Sequence, residues 1–252
     1  MINLRSNNRF QDLSFQRLYA FMWILLGHAA LAYLIITLQW KMLLIALAVN
    51  YIWLIPGISM TYHRAISHNS VTLPRWLEFI GLFLAGFAMQ GSAISWSAVH
   101  RQHHKYQGTM KDPHSPKIMG TWYVQMFVYT FSKIDPRATV TLMRTHLATW
   151  HRYYYWIYLP IMIGSFFVLP FDLALSIFWA PIAITYHFEG FVNTWLHDWS
   201  KDIPVNRPWV NLFAGGEAWH ENHHAHPIRV RFHKYDILGF ILEKCFIKKT
   251  NE

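Results

Sequence analysis

Histidine is the residue type whose placement in this chain could do chemistry. There are 16 among 252 residues, and many fall in three short groups. His220, His223 and His224 lie in Trp219-His220-Glu221-Asn222-His223-His224, and His100, His103 and His104 repeat that spacing in His100-Arg101-Gln102-His103-His104. His63 and His68 form a third, looser pair. Histidines at i, i+3 and i+4 share one helix face, with about 5–6 Å between Cβ atoms. Crowding favours the neutral imidazole, which is the form that binds metal. The single cysteine, Cys245, excludes an internal disulfide, a thiolate zinc site and a protein-bound iron–sulfur cluster. Ligation by nitrogen alone suits zinc, copper, nickel or iron. The three groups hold more imidazoles than one ion uses, so the pattern points to a two-metal, nitrogen-rich site. Carboxylate-bridged bundles instead take Glu and Glu-x-x-His from separate helices, which is not the arrangement here. Glu221 is offset from the face carrying its neighbouring histidines.

The elements that must position these groups are written in the composition. Hydrophobic residues make up 54% of the chain and charged ones 14%, too apolar a balance for an ordinary soluble domain. The formal charge of +9 does not indicate nucleic acid, because no basic run is interleaved with aromatics. A positive surface facing anionic lipid headgroups accounts for it better. The length suits one domain, residues 1–252. Met1 to Leu13 is polar and lacks a signal-peptide pattern, and residues 1–16, with Arg5 and Arg9, read as a polar lead-in. Lys244, Lys248 and Lys249 give a basic tail.

Four apolar stretches, 18–38, 42–60, 153–169 and 173–192, approach the ~20 residues that cross a ~30 Å hydrocarbon core. The short turns between them make two hairpins. A fifth apolar segment, 76–94, is ambiguous. If it crossed the bilayer, His63 and His68 would be stranded on the opposite side from His100, His103 and His104. It is therefore expected as a helix lying on, or dipping into, the membrane surface. Of 22 Lys and Arg, only Lys41 falls in the two short turns, which puts the termini and the histidines on the cytoplasmic side. The expected fold is an all-α integral membrane protein, multi-pass, with four transmembrane helices in two hairpins. A helical cytosolic cap, residues 95–151 and 193–252, carries the di-metal site. His63 and His68 sit roughly 140° apart on an ideal helix, so they can share a site only at a helix end or bend.

Other polar residues invite blander readings. His28, His146, His151 and His233 are expected to be packed or surface residues, and His226 a bystander beside its group. His187 and Glu189 are polar groups in an apolar setting, suited either to orienting the site or to a satisfied contact between helices. Asn50, within the second span, needs a partner.

The three groups, His63-Arg64-Ala65-Ile66-Ser67-His68, His100-Arg101-Gln102-His103-His104 and His220-Glu221-Asn222-His223-His224, resemble the three histidine boxes of the membrane fatty acyl desaturases. The likeness is closest to the acyl-CoA delta-9 (stearoyl-CoA type) branch. Lys105, the Asp112-Pro113-His114 turn, Gly216-Glu217 ahead of Trp219, and Asn193 four residues before His197 extend it over roughly residues 18–228.

The resemblance implies an all-histidine di-iron site. Its nine ligands would be His63, His68, His100, His103, His104, His197, His220, His223 and His224. Asn193 would reach a metal through water, and no catalytic residue would stand apart from the ligands. His197 enters through the resemblance alone. The implied cofactors are two ferrous ions, with dioxygen as co-substrate. The implied reaction inserts a cis double bond into a saturated acyl chain, carried as acyl-CoA or acyl-lipid. No stretch resembles a fused haem-binding domain, so a separate electron donor of ferredoxin, rubredoxin or cytochrome b5 type is expected.

Arg101, Lys105 and Lys111 are candidates for an anionic headgroup, and Trp96, Trp122 and Trp195 for tunnel walls. Trp195 and Leu196 are bulkier than the small residues usual there in relatives. A membrane di-iron hydroxylase is the nearest alternative. A histidine-rich metal transporter, which would place its ligands inside the spans, is the alternative from another class.

Overall fold

A computed structural model describes residues 13–246. Arg5 and Arg9 of the lead-in, and Lys248 and Lys249 of the tail, lie outside them. Helix α1, Leu13–Ile36, ends where Leu38 takes a positive φ of 54°. A tight turn leads into α2, which runs unbroken over Trp40–Ser67, past the expected end at residue 60. Its first part, Trp40–Ile52, is α-helical, and its second, Trp53–Ser67, is wound as a π-helix. Pro56 lies inside this second part and offers no N–H to an α-helical ladder. The hydroxyls of Thr61 and Ser67 donate to the carbonyls five residues back, Pro56 at 2.8 Å and Tyr62 at 2.7 Å. The helix closes as the His68 N–H donates to the His63 carbonyl at 3.1 Å. With i→i+5 bonding, five residues complete little more than one turn, so His63 and His68 come to one side.

The segment expected as one helix over 76–94 is broken in two. Helix α3, Arg75–Gly86, runs antiparallel to the π-wound part of α2, with Gly57 against Ala85 and Gly81 against Thr61. Its twelve residues make about 18 Å of helix, short of a ~30 Å core. The chain reverses where Met89 and Gly91 take positive φ values of 55° and 94°. Ser92 then caps α4, Ala93–Tyr106, which leads back out. A buried helix end must find partners for its carbonyls. Here tyrosines supply them: Tyr154 donates to Gly86 O at 2.8 Å, Tyr158 to Phe83 O at 2.9 Å and Tyr186 to Met89 O at 2.8 Å. This reversal brings His100, His103 and His104 to the same end of the fold as His63.

After short helical turns over residues 116–144, α5 spans Leu147–Val168 and α6 spans Phe171–Trp195. Among the described residues three helices are long and apolar enough to cross a membrane: Leu18–Ile36 of α1, α2 and α6. The expected third span, 153–169, lies in α5, which begins earlier and is not one of the three. Its run of Tyr153, Tyr154, Tyr155 and Tyr158 dilutes its apolarity, and Tyr154 and Tyr158 serve α3. Trp23, Leu34, Trp53, Tyr158, Met162 and Trp179 join α1, α2, α5 and α6 in one core. Leu25, Ile35, Leu44 and Phe167 face outward. Asn50 finds its partner in Thr185, whose hydroxyl donates to Asn50 Oδ1 at 2.8 Å.

Beyond α6, a two-stranded ladder pairs β1, His197–Asp198, with β2, Ile203–Pro204. It is a small exception to an otherwise helical fold. Helix α7, His220–Ala225, carries the last histidine group, and α8, Ile237–Cys245, is capped by Asp236, whose Oδ1 accepts from Gly239 N at 2.8 Å.

Candidate metal centre

Nine imidazoles converge in two groups. His63, His68, His100, His104 and His223 form one, and His103, His197, His220 and His224 the other. Within each group, one nitrogen per ring lies within 4.8 Å of the others. The groups do not follow the sequence motifs. Helix α4 sends His100 and His104 to the first group and His103 to the second; α7 sends His220 and His224 to the second and His223 to the first. A spacing of i, i+4 fixes which two rings stay together, and the i+3 ring crosses to the neighbouring group.

Four rings have their Nδ1 nitrogens engaged from outside. His63 Nδ1 donates to Glu217 at 3.0 Å, His103 Nδ1 to Asp112 at 2.9 Å, His197 Nδ1 to the Asn193 carbonyl at 2.9 Å and His224 Nδ1 to Gln107 Oε1 at 2.8 Å. Such acceptors fix the tautomer, leaving Nε2 without a proton. The consequence is sharpest between His103 and His224. Their bare Nε2 atoms lie 3.2 Å apart with no hydrogen to share. The Nε2 of His197 is buried with no hydrogen-bond partner among the described residues. Lone pairs aimed at one another in a buried space are stabilised by a cation, so the donor set fits metal ions.

Burial holds the rings of His68, His100, His103, His220, His223 and His224 well below the usual histidine range, and neighbouring rings add to it. For the same leading reason His104 falls to about 3 and His197 to about 4. These rings are neutral at physiological pH, the form that ligates.

The outer supports have their own anchor. Arg64 is fully buried and donates from Nη1 to Glu217 Oε1 at 2.6 Å and from Nη2 to Asp236 Oδ2 at 3.2 Å. Its guanidinium also lies 4.2 Å from the Phe232 ring centroid. Burial pushes the Glu217 carboxyl up, but Arg64, His63 and the Ser59 hydroxyl outweigh it and hold it at about 2. Asp112 is pushed up to about 7 by burial, against the His114 N–H bond that lowers it. His114 stacks on His103 at 3.7 Å between centroids. The sequence pattern gave Arg64 and Gln107 no role. An arginine inside a box at the end of an apolar helix is itself a signal, because a buried guanidinium requires acids.

Beside the histidines lies a small cavity of about 20 Å³, with Ile58, Ser59, His63, Trp96, His100, Tyr129, Glu189, Val192, Asn193, Glu217 and His220 on its walls. Trp96 is therefore next to the site, stacked on His100 at 5.1 Å. Trp122 is exposed, and Trp195 is stacked on Phe191 at the mouth of an outer cleft with Trp199, Arg207 and Trp209. Neither lines the inner cavity. Arg101 turns inward, donating to the last carbonyls of α2, Ser67 at 2.8 Å and Ile66 at 2.7 Å. Lys105 and Lys111 lie over the Tyr106 ring.

The remaining histidines stand apart from both groups. His28 Nε2 meets His187 Nε2 at 3.2 Å between α1 and α6, His146 pairs with Glu78, His151 meets Ser92 and His233 stacks on Trp219. His226 and Glu221 are exposed.

Long apolar helices whose ends meet buried histidine groups define a helical protein of membrane type with a site suited to more than one metal ion. The chain belongs to the fatty acid desaturase family, whose model matches residues 38–245. It is 34% identical over 190 residues to the delta-9 desaturase-like 5 protein of Arabidopsis thaliana, covering 67% of this chain and 60% of that one. It is 29% identical over 212 residues to the chloroplastic palmitoyl-monogalactosyldiacylglycerol delta-7 desaturase of the same plant, covering 77% and 55%. Against the acyl-CoA C20 delta5-desaturase of Anemone leveillei it is 29% identical over 207 residues, covering 75% and 64%. The aligned part thus spans about 60% of the length of these curated relatives.

Proposed function

We propose that this chain is an oxygen-dependent fatty acyl desaturase that inserts a cis double bond into a saturated acyl chain. The observation that carries this reading is the convergence of nine imidazoles, most of them buried, in two groups, in a chain of this family. The nine histidines are taken as ligands of two iron ions, with Asn193 contributing through water. The overall reaction balances as two hydrogens from adjacent methylenes, dioxygen, two electrons and two protons giving an alkene and two waters. Two iron ions held there would supply the one-electron chemistry that takes hydrogen from an unactivated methylene.

The protein's own part is positional. Glu217, Asp112, Gln107 and the Asn193 carbonyl hold ring protons outward, so bare nitrogens face inward. Such outer partners typically govern about 10–100-fold in metal affinity. Ile58, Val192 and Trp96 give the adjoining cavity apolar walls, which suit a methylene carrying no group for acid–base catalysis, so geometry selects the bond.

Four spans in two hairpins, with α5 as the third, a single domain over 1–252 and cytoplasmic termini and site complete the proposal. The acyl carrier is CoA or a lipid, the electrons come from a separate donor, and delta-9 is the proposed position. Relatives of similar identity bear delta-9, delta-7 and delta-5 names, so the position needs its own measurement. Arg101 and Lys105 remain the proposed headgroup contacts, Lys105 being the more outward of the two. The grouping of the histidines at or beyond helix ends disfavours a transport pathway through the spans.

The test is the fatty-acid profile of membranes from a host expressing the chain with a suitable electron donor, beside His223→Ala, with mass spectrometry locating the double bond. A cis-monounsaturated product from the native chain alone supports the reading. A hydroxylated product moves the function to a hydroxylase.

A further inference from the structure

Glu189 sits on α6 with 5% of its surface exposed, and its side chain lines the cavity beside the histidines. Among the described residues it has neither a hydrogen bond nor an ion pair. Glu217, which shares the cavity, is matched by Arg64 and His63. Glu189 has no such match, and the neighbouring charge is that of Glu217, of the same sign. Burying a carboxylate costs several kcal/mol unless it takes up a proton or meets a positive partner, and no described residue provides that partner.

The histidine groups need the converse. Imidazoles that ligate through bare nitrogens contribute no charge, whereas two divalent ions bring several positive charges into a buried volume, where they become the largest local charges. Glu189 belongs to neither group but faces His63 and His100 of one, and His220 of the other, across the cavity. A free volume of about 20 Å³ accepts about one water molecule. Asn193 lies one helical turn further along α6 and shares the same cavity. We propose that Glu189 is the counter-charge of the metal centre, acting across a single solvent molecule that it holds together with Asn193. This rests on the two-metal reading of the histidine groups. It adds an anionic oxygen beside an otherwise all-nitrogen ligand set. Glu189 is a positioning residue in this role, because it acts on the metals through the solvent molecule.

The test uses cobalt(II) loaded onto the purified full chain in detergent, with two readouts independent of turnover: the visible ligand-field spectrum and the half-time of cobalt release to excess chelator. Glu189→Gln keeps the shape and removes the charge; it should shift the spectrum and release cobalt at least about tenfold faster, the usual scale for an outer partner. Glu189→Asp keeps the charge and should stay within about threefold of the unaltered chain. Glu78→Gln, on the surface beside His146, serves as the charge control and should change neither readout. Equal behaviour of Glu189→Gln and the unaltered chain overturns the proposal. So does equal acceleration by Gln and Asp, which would mark a packing role. If the unaltered chain takes up no cobalt, the two-metal reading itself fails, an outcome seen before any variant is compared.

Discussion

His103 and His104 are neighbours in the chain, yet their rings, 5.7 Å apart between centroids, serve different histidine groups. One helix thus supplies rings to both groups, and the two substitutions should not be equivalent. His103→Ala leaves three rings in the smaller group, and His104→Ala leaves four in the larger. We expect His103→Ala to fall to about one ion per chain while His104→Ala holds closer to two, because four imidazoles still complete a ligand set. Elemental analysis of the two purified variants reads this directly; identical losses would show that the groups are not separate sites.

Glu217 joins His63 to Arg64, and Arg64 in turn reaches Asp236 at the start of α8. Glu217→Gln leaves a buried guanidinium short of one acid, and losing one partner of a buried pair costs about 3–5 kcal/mol. Thermal unfolding should show a markedly lower midpoint. Metal titration should show weaker uptake, by about 10–100-fold, because the His63 tautomer is no longer held by a charge. A variant with native stability and affinity would remove this network from the account.

Gly57 lies where an added Cβ would come within 2.7 Å of the Ala85 backbone nitrogen. Backbone cannot swing aside, so Gly57→Ala should push α3 away from α2, at a cost of about 1–3 kcal/mol for overpacking. Because α3 leads into α4, product formation should fall along with the unfolding midpoint. Gly164→Ala, with nothing within 4 Å of its added Cβ, should be neutral or slightly stabilising in the same assay.

His28 and His187 meet inside the helical bundle, away from both groups. On the desaturase reading His28→Ala forfeits one contact, about 1 kcal/mol, and retains product formation. A transport pathway would make this pair indispensable, so an inactive but folded His28→Ala chain would favour it.

How much of this was legible in the sequence follows the range of each signal. The i, i+3, i+4 spacing of the boxes is local, and it revealed the donor residues. It could not reveal that His103 and His223 cross to the opposite group, because that depends on how α4 and α7 meet. His63 and His68 fall roughly 140° apart at the α-helical step, and the π winding of α2 replaces that step. The apolar run 76–94 hid its own reversal, since Phe87, Ala88 and Met89 continue the hydrophobic pattern through the turn and tyrosines from α5 and α6 satisfy it. Arg64 sat in plain view, but its acids lie 153 and 172 residues away. His197, isolated in sequence, needed a family resemblance to be noticed.

The central claim is that these nine histidines hold two metal ions. It is tested most directly by elemental analysis of the full chain, purified from an iron-supplemented host and counted against protein by amino-acid analysis. The account predicts about two transition-metal ions per chain, falling to about one in a His103→Ala variant that still folds. A content well below one ion per chain after iron reloading would contradict it.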